Sequence, residues 1–275
     1  MSDAIYSYDK VNFHKTFPPQ ASYISKILEL ANSNYSGTKE EISRDTGIPT
    51  GKTSGKVVPH ILYAEYMGLI SYNLDKGVYS LNLTELGERV FDEDKYLYED
   101  ITKLICHFNI CDQKQGALLW SFLYFNISLL PNDILQMNTL KKKMQDHFQQ
   151  TVDFDAVKKS YTDGFWSNCE LITFSDGLSF QESYFDESMK YMYAYTLFDS
   201  WDNYLGDLQE ITGDQIVNEL KWNKRFGLDD DEMIVALESL EDEGYLRLNK
   251  QLIPYTVIRI SDKSDALANL YSLIS

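Results

Sequence analysis

Residues 38–83 read TKEEISRDTGIPTGKTSGKVVPHILYAEYMGLISYNLDKGVYSLNL, and this stretch decides the predicted fold. Thr38 and Glu41 have the spacing of a capping box, so a short helix is predicted to begin here. Gly47 is placed to end that helix, because glycine readily adopts the left-handed conformation of a helix C-terminus. A segment with glycines and lysines, residues 50–56, comes next. The stretch therefore opens with a short polar helix and a turn.

A second helix and a hairpin complete this module. Apolar residues recur at helical spacing over residues 57–67. Residues 69–72 and 78–81 are strand-like, and residues 73–77 between them include Asn, Asp and Gly, which favour a hairpin turn. Pro59 lies within the helical pattern, so the helix either begins just before it or is kinked. Two helices and a two-stranded wing predict a winged helix-turn-helix, a plan that docks on DNA or on protein.

Charge is distributed unevenly along the chain. Residues 1–83 contain eight Lys/Arg and eight Asp/Glu, whereas the whole chain has 25 basic and 42 acidic residues. Residues 84–275 therefore carry all of the net charge of −17. Because non-specific DNA affinity comes mainly from neutralised phosphates, any DNA contact is expected to be local and N-terminal. The acidic remainder is expected to bind protein subunits.

The candidate DNA contacts are basic and hydroxyl side chains of the N-terminal module. Hydroxyls and glycines before a helix suit a phosphate group, and Lys or Arg neutralises it. The predicted DNA-binding residues are Lys39, Arg44, Lys52, Thr53, Ser54, Lys56 and Lys76. The segment GIPTGKT at residues 47–53 is similar to a nucleotide-binding P-loop, but it is one residue short, and no strand is predicted before it. No nucleotide or other cofactor is therefore expected.

The remainder of the chain predicts two further modules. An amphipathic helix over residues 22–32 completes a winged helix-turn-helix domain spanning residues 1–92. Residues 93–205 predict a helical middle domain, and residues 206–275 predict a C-terminal winged-helix-like module that repeats the first plan. The fold class is mainly α, a multi-module helical protein. Four acids at residues 229–232 begin the second helix of the last module, so this module is not expected to bind DNA.

The predicted helix over residues 186–204 is rich in Tyr, Met and Trp. It has more large apolar side chains than one buried face requires, so some are expected to be exposed for a partner protein. The residues predicted to bind this partner are Tyr191, Tyr195 and Trp201. The alternative is a central helix that is buried all round.

No catalytic or metal-binding residue is predicted. His107 and Cys111 are four residues apart on a predicted helix, but a structural zinc site usually requires four ligands, and no second pair is present. They are interpreted as inward-facing core groups. The sequence has no signal-peptide pattern, no apolar run of membrane-spanning length and no disulfide framework among its three cysteines. These features predict a cytoplasmic protein without membrane contact.

Several segments resemble the bacterial domain-of-unknown-function family 4007. These segments are FHKTFP at 13–18, GLI at 68–70, LTELG at 83–87, YLYED at 96–100, LWSFLYFN at 119–126 and the stretch from Tyr193 to Trp201. Lys15 stands where the family favours Glu. The resemblance implies an accessory protein of prokaryotic defence islands, such as DNA phosphorothioation loci, and it implies no reaction.

The leading hypothesis is a non-enzymatic accessory component of a prokaryotic anti-phage defence or phosphorothioation-type DNA-modification system. It would contact DNA through the N-terminal module and subunits of a defence complex through the acidic remainder. The alternative is a protein-interaction adaptor, or an acidic inhibitor that imitates DNA, without DNA binding of its own. A transcriptional regulator is the third hypothesis.

Overall fold

The computed structural model of the chain describes residues 10–51, 55–251 and 253–274. The chain is rich in α-helix and has small antiparallel sheets. It forms two compact units, one with residues up to 129 together with 134–179, and one with residues 130–133 and 180–275. The predicted middle domain, residues 93–205, is thus divided between the two units.

The first unit is built around a three-stranded antiparallel sheet with strand order β1-β3-β2. The Thr38 hydroxyl accepts a hydrogen bond from the Glu41 N–H at 3.3 Å, and the Glu41 carboxylate accepts one from the Thr38 N–H at 2.8 Å, which confirms the capping box. Gly47 ends the helix with a φ of 71°, as expected. The elements in chain order are α1 (Ala21–Asn32), β1 (Ser36–Thr38), α2 (Lys39–Thr46), α3 (Val57–Tyr66), β2 (Ile70–Asp75), β3 (Val78–Leu83), α4 (Glu85–Asp94), α5 (Asp100–Ile110), α6 (Leu118–Phe125), α7 (Met137–Phe148), α8 (Asp155–Thr162) and β4 (Ile172–Thr173).

The second unit repeats the element order of the first half of the chain. Its sheet has the order β6-β8-β7, which matches β1-β3-β2. In each unit a helix precedes a short strand, and an antiparallel pair of strands leads into a further helix. Two helices lie between the first strand and the strand pair in the first unit, and three helical stretches lie there in the second. The elements from residue 179 onwards are β5 (Ser179–Phe180), α9 (Lys190–Leu205), β6 (Glu210–Thr212), α10 (Gly213–Gln215) with a π-helical continuation (Ile216–Leu220), α11 (Trp222–Phe226), α12 (Asp230–Asp242), β7 (Leu246–Asn249), β8 (Thr256–Arg259) and α13 (Lys263–Ala268).

The α9 helix is the centre of the second unit. It packs against α11, α12 and α13, and its residues from Met192 to Phe198 are all buried. Tyr195 is 8% exposed and Trp201 is fully buried, with the Trp201 indole N–H donating to the carbonyl of Leu208 at 2.8 Å. The expectation of exposed apolar groups therefore fails for these two side chains. Neighbouring helices cover α9. This arrangement matches the alternative prediction of a central helix that is buried all round.

The start of α7 also differs from the prediction. The sequence Pro131-Asn-Asp133 predicts a helix start, whereas α7 begins at Met137. The backbone of Leu135 instead exchanges two hydrogen bonds with Leu178, at 2.8 and 2.9 Å, and forms an isolated β-bridge. Residues 131–132 before this bridge form a turn, with a φ of 64° at Asn132. No helix in the described part of the chain is long and apolar enough to cross a bilayer.

Candidate nucleic-acid interface

The loop between α2 and α3 closes on itself. The Lys56 N–H donates to the carbonyl of Pro49 at 2.7 Å. A Cβ at Gly55 would lie 2.8 Å from Thr50 Cα and 2.9 Å from Gly51 N, so only glycine permits this close approach. We call the segment from Pro49 to Lys56 the glycine loop. Three predicted contacts within it, Lys52, Thr53 and Ser54, lie outside the described residues.

Two of the predicted basic residues lie at the glycine loop. The Lys39 ammonium donates to the carbonyl of Gly51 at 3.4 Å. Lys56 lies at the other end of the loop, with its ammonium 5.4 Å from the ring centroid of Phe17 and 5.2 Å from that of Tyr23. Both distances are typical of cation–π contacts. Lys56 is therefore tied to the aromatic packing, whereas the Lys39 ammonium has a weak hydrogen bond to the loop backbone and an ion pair with Glu40 at 3.7 Å.

The other two described candidates occupy separate positions. Arg44 lies in the last turn of α2 and pairs with the adjacent Asp45 at 2.8 Å. The hydrogen bonds from Arg44 and then from Tyr35 lower the pKa of the Asp45 carboxyl. Lys76 is exposed in the turn between β2 and β3, with a φ of 49°. The structure thus places the Lys39 ammonium at the glycine loop and the Lys56 ammonium against two aromatic rings, and it leaves Arg44 partly neutralised by its neighbour.

The helix predicted to read DNA, α3, is buried. It begins at Val57 with Pro59 in its first turn, as one alternative predicts, and every residue from Val57 to Ala64 is buried. The helix packs against α1, α2, α5 and β2. Tyr63 on it contacts the ring of Phe13 at 4.9 Å, and its hydroxyl donates to the carbonyl of Phe17 at 2.9 Å. Insertion of α3 into a DNA groove is therefore excluded in this fold.

The equivalent helix of the second unit, α12, keeps an exposed face. Asp229 caps the helix by accepting from the Glu232 N–H at 2.8 Å, and the Glu232 carboxylate accepts from the Phe185 N–H at 2.8 Å. These two acids thus have structural roles, which the first-turn position favours. The exposed face consists of Asp231, Val235, Glu238 and Asp242. An acidic face of this kind repels phosphates.

The structure describes residues 47–51 of the P-loop-like segment and the buried core around α5 that holds His107 and Cys111. The segment before Gly47 is the helix α2, whereas a P-loop follows a strand. The His107 Nε2 lies 3.5 Å from the Cys111 Sγ and 3.3 Å from the Tyr124 hydroxyl, and all three side chains are buried in the core, as interpreted from the sequence. Within the described ranges, no group of three His, Cys, Asp or Glu side chains is arranged to hold a metal ion.

Comparison with solved structures shows which fold the chain has. It matches a magnesium ion-bound SspB crystal structure with a TM-score of 0.75 and 15% identity, over 96% of this chain and 87% of that chain. A second SspB crystal structure matches with the same TM-score and coverage at 16% identity. At this level of identity the similarity establishes a shared fold over nearly the whole chain. No family model and no curated protein matches the sequence.

Proposed function

We propose that the chain is a member of family 4007 and a non-enzymatic accessory component of a prokaryotic anti-phage defence or phosphorothioation-type DNA-modification system. The segments that resemble the family support this context, and they extend along most of the chain. The repeated order of helices and paired strands supports a winged helix-turn-helix in the first unit and a winged-helix-like module in the second. We expect the first to contact DNA and the acidic surfaces to contact protein subunits.

One observation carries the DNA contact, namely the placement of the Lys39 ammonium against the backbone of the closed glycine loop. The unit that holds this loop has 17 basic and 22 acidic residues, whereas the other unit has 8 and 20. Backbone N–H groups of a glycine-containing loop before a helix suit a phosphate oxygen. Because α3 is buried, the contact is made to the phosphate backbone and does not read base sequence.

We expect the substitutions Lys39→Gln and Lys52→Gln together to weaken the retardation of a short DNA duplex. Loss of two phosphate contacts lowers the slope of log affinity against log salt by about 2. The measurement is a mobility shift over a series of salt concentrations. Lys56 is left unchanged in this variant, because its contacts with Phe17 and Tyr23 make it part of the fold.

The matched control is Lys141→Gln with Lys142→Gln, which makes the same change of charge on two exposed residues of α7. Its mobility shift should equal that of the unchanged chain. If both double variants weaken binding equally, the glycine loop is not the site, and general charge accounts for the retardation. If the unchanged chain retards no duplex at low salt, the DNA-binding part of the proposal is wrong.

The second candidate function is a protein-interaction adaptor, or an acidic inhibitor that imitates DNA, without DNA binding. The burial of α3 favours it, because the helix that reads DNA in winged helices has no free face here. The acidic outer face of α12 favours it as well. Absence of any mobility shift, combined with competition against DNA for a DNA-binding protein, would support the inhibitor.

A further inference from the structure

Two tyrosines stand exposed side by side on the segment between α4 and α5. Tyr96 is 51% exposed and Tyr98 is 73% exposed, and their rings stack at 5.9 Å with an interplanar angle of 30°. We call this pair the tyrosine platform. Tyrosine combines a large apolar surface with few rotatable bonds, which makes it a frequent anchor of protein interfaces. Among the described residues of the first unit, neither ring is part of the buried core.

The backbone holds the tyrosine platform in place. The buried carboxylate of Asp94 accepts hydrogen bonds from the N–H groups of Tyr98 and Glu99, both at 2.9 Å. Leu97, between the two tyrosines, is 1% exposed and anchors the segment in the core. Its φ of 57° is costly for a branched side chain, and the tyrosines on both sides of it are exposed. The rings are thus arranged before any partner arrives, which reduces the entropy lost on binding.

The charge around the tyrosine platform selects a cationic partner. The exposed acids within the segment 92–100 are Asp92, Glu93, Glu99 and Asp100. Glu93 pairs with Arg89 and Asp100 pairs with Lys103, which leaves Asp92 and Glu99 for a cationic partner. The ammonium of Lys95 already lies 4.9 Å from the ring centroid of Tyr96, so this ring accepts a cation on its face. A phosphate backbone would be repelled by the same acids. A second copy of this chain is also a poor match, because its own net charge is −17.

We propose that the tyrosine platform binds a basic segment of a partner protein, with an Arg side chain stacked on the rings and its charge facing Glu99 and the neighbouring acids. Arg fits this surface better than Lys, because its planar guanidinium stacks on an aromatic face. The inference depends on the proposed function for the existence of a partner subunit. It adds the place of contact and the chemistry of the partner.

The test uses the full chain and a fluorescent peptide of alternating Arg and Gly, followed by anisotropy at physiological salt. Tyr96→Ser with Tyr98→Ser should weaken peptide binding about five-fold or more, because each exposed cation–π contact contributes on the order of 0.5–1 kcal/mol. Tyr98→Phe should retain binding, since it keeps the aromatic face. The matched control is Tyr184→Ser, which changes a tyrosine that is 77% exposed in the second unit, and it should bind as the unchanged chain does.

Four outcomes would overturn the inference. They are no peptide binding by the unchanged chain, equal binding by the double variant, equal weakening by Tyr184→Ser, and tighter binding of single-stranded oligothymidine than of the peptide at the platform. A change of molar mass in light scattering that the double variant abolishes would assign the platform to self-association instead. The DNA mobility shift separates this inference from the proposed function, because the double tyrosine variant should retard DNA unchanged. If the unchanged chain retards DNA but binds no peptide, the inference about the tyrosine platform is wrong and the proposed DNA contact is not affected.

Discussion

Gly87, in the first turn of α4, shows how a single residue fixes the junction between the hairpin and the next helix. The Thr84 hydroxyl caps the Gly87 N–H at 2.9 Å and donates to the carbonyl of Gly68 at 2.6 Å. A Cβ at Gly87 would lie 1.8 Å from the carbonyl oxygen of Leu69. The clash is with backbone, so it cannot be relieved by a change of rotamer.

We therefore expect Gly87→Ala to destabilise the protein by about 3 kcal/mol or more, since overpacking against backbone forces the helix to move. Urea unfolding followed by circular dichroism measures the change. Gly77→Ala is the matched control, because no atom lies within 4 Å of its Cβ position and only the φ of 85° opposes the substitution. That change should cost about 1 kcal/mol. Equal effects of the two substitutions would contradict the steric argument.

At the scale of the element, α3 carries a buried histidine and a half-buried glutamate whose effects on stability respond to pH in opposite directions. Burial lowers the pKa of His60 to about 4, and the Nε2 atom has no hydrogen-bond partner among the residues that the structure describes. The stability that neutral His60 contributes is present above its ordinary pKa of 6.5 and is lost as the pH falls towards 4. Burial raises the pKa of Glu65 to about 7, so its contribution is complete below pH 4.5 and is lost as the pH rises through 7.

The two single variants should therefore diverge when the pH is lowered from 7 to 4.5. Relative to the unchanged chain, Glu65→Gln should lose stability over this interval, because it lacks the gain from protonating Glu65. His60→Gln should gain relative stability, by up to about 3 kcal/mol for the full shift of its pKa. Denaturant titrations at both pH values provide the comparison. Parallel pH profiles for the two variants would contradict these assignments.

The sequence predicts the long helices and their ends from local signals. It does not predict the contacts between residues that are distant in the chain. Capping boxes at Thr38 and Thr212 and the glycine at residue 47 mark helix ends through local chemistry, and both boxes are present. The strands β1 and β6 have three residues each, too few to show an alternating pattern. The lack of charge from Val57 to Ala64 was a signal for burial on all sides. The arm around Phe13 that helps to cover α3 is a tertiary contact with no local signature.

At the scale of the whole molecule, the site was partly predictable. Local composition identified Lys39 and Lys56 as candidates, and the structure brings both to the glycine loop. Local composition also predicts a partner-binding surface at Tyr195 and Trp201. The structure instead buries both side chains in the core of the second unit. The number of aromatic residues predicts how much apolar surface the chain has. Only tertiary packing decides which of these side chains are buried. The exposed pair Tyr96 and Tyr98 lies in the segment 96–100, whose sequence carries the family resemblance but no local pattern that marks an interface.

We expect all DNA contacts to come from the first unit. When the full chain is cross-linked to a duplex with photoreactive thymine analogues, the modified peptides should lie before residue 180. The reason is electrostatic, because the second unit has 8 basic and 20 acidic residues. The full chain is needed, since a fragment of residues 206–275 would lack the core helix α9. A cross-link within residues 180–275 would contradict this prediction.

The difference between α3 and α12 has a consequence for how this protein changes over evolutionary time. Nearly every position of α3 is enclosed, so mutations there are restricted to side chains of similar volume. The outer face of α12, with Asp231, Val235 and Asp242, touches solvent, so substitutions at these positions disturb little packing, whereas Glu238 pairs with Lys250. Sequence differences among homologues should therefore be more frequent on the outer face of α12 than in α3. New binding specificities can arise there without loss of the fold.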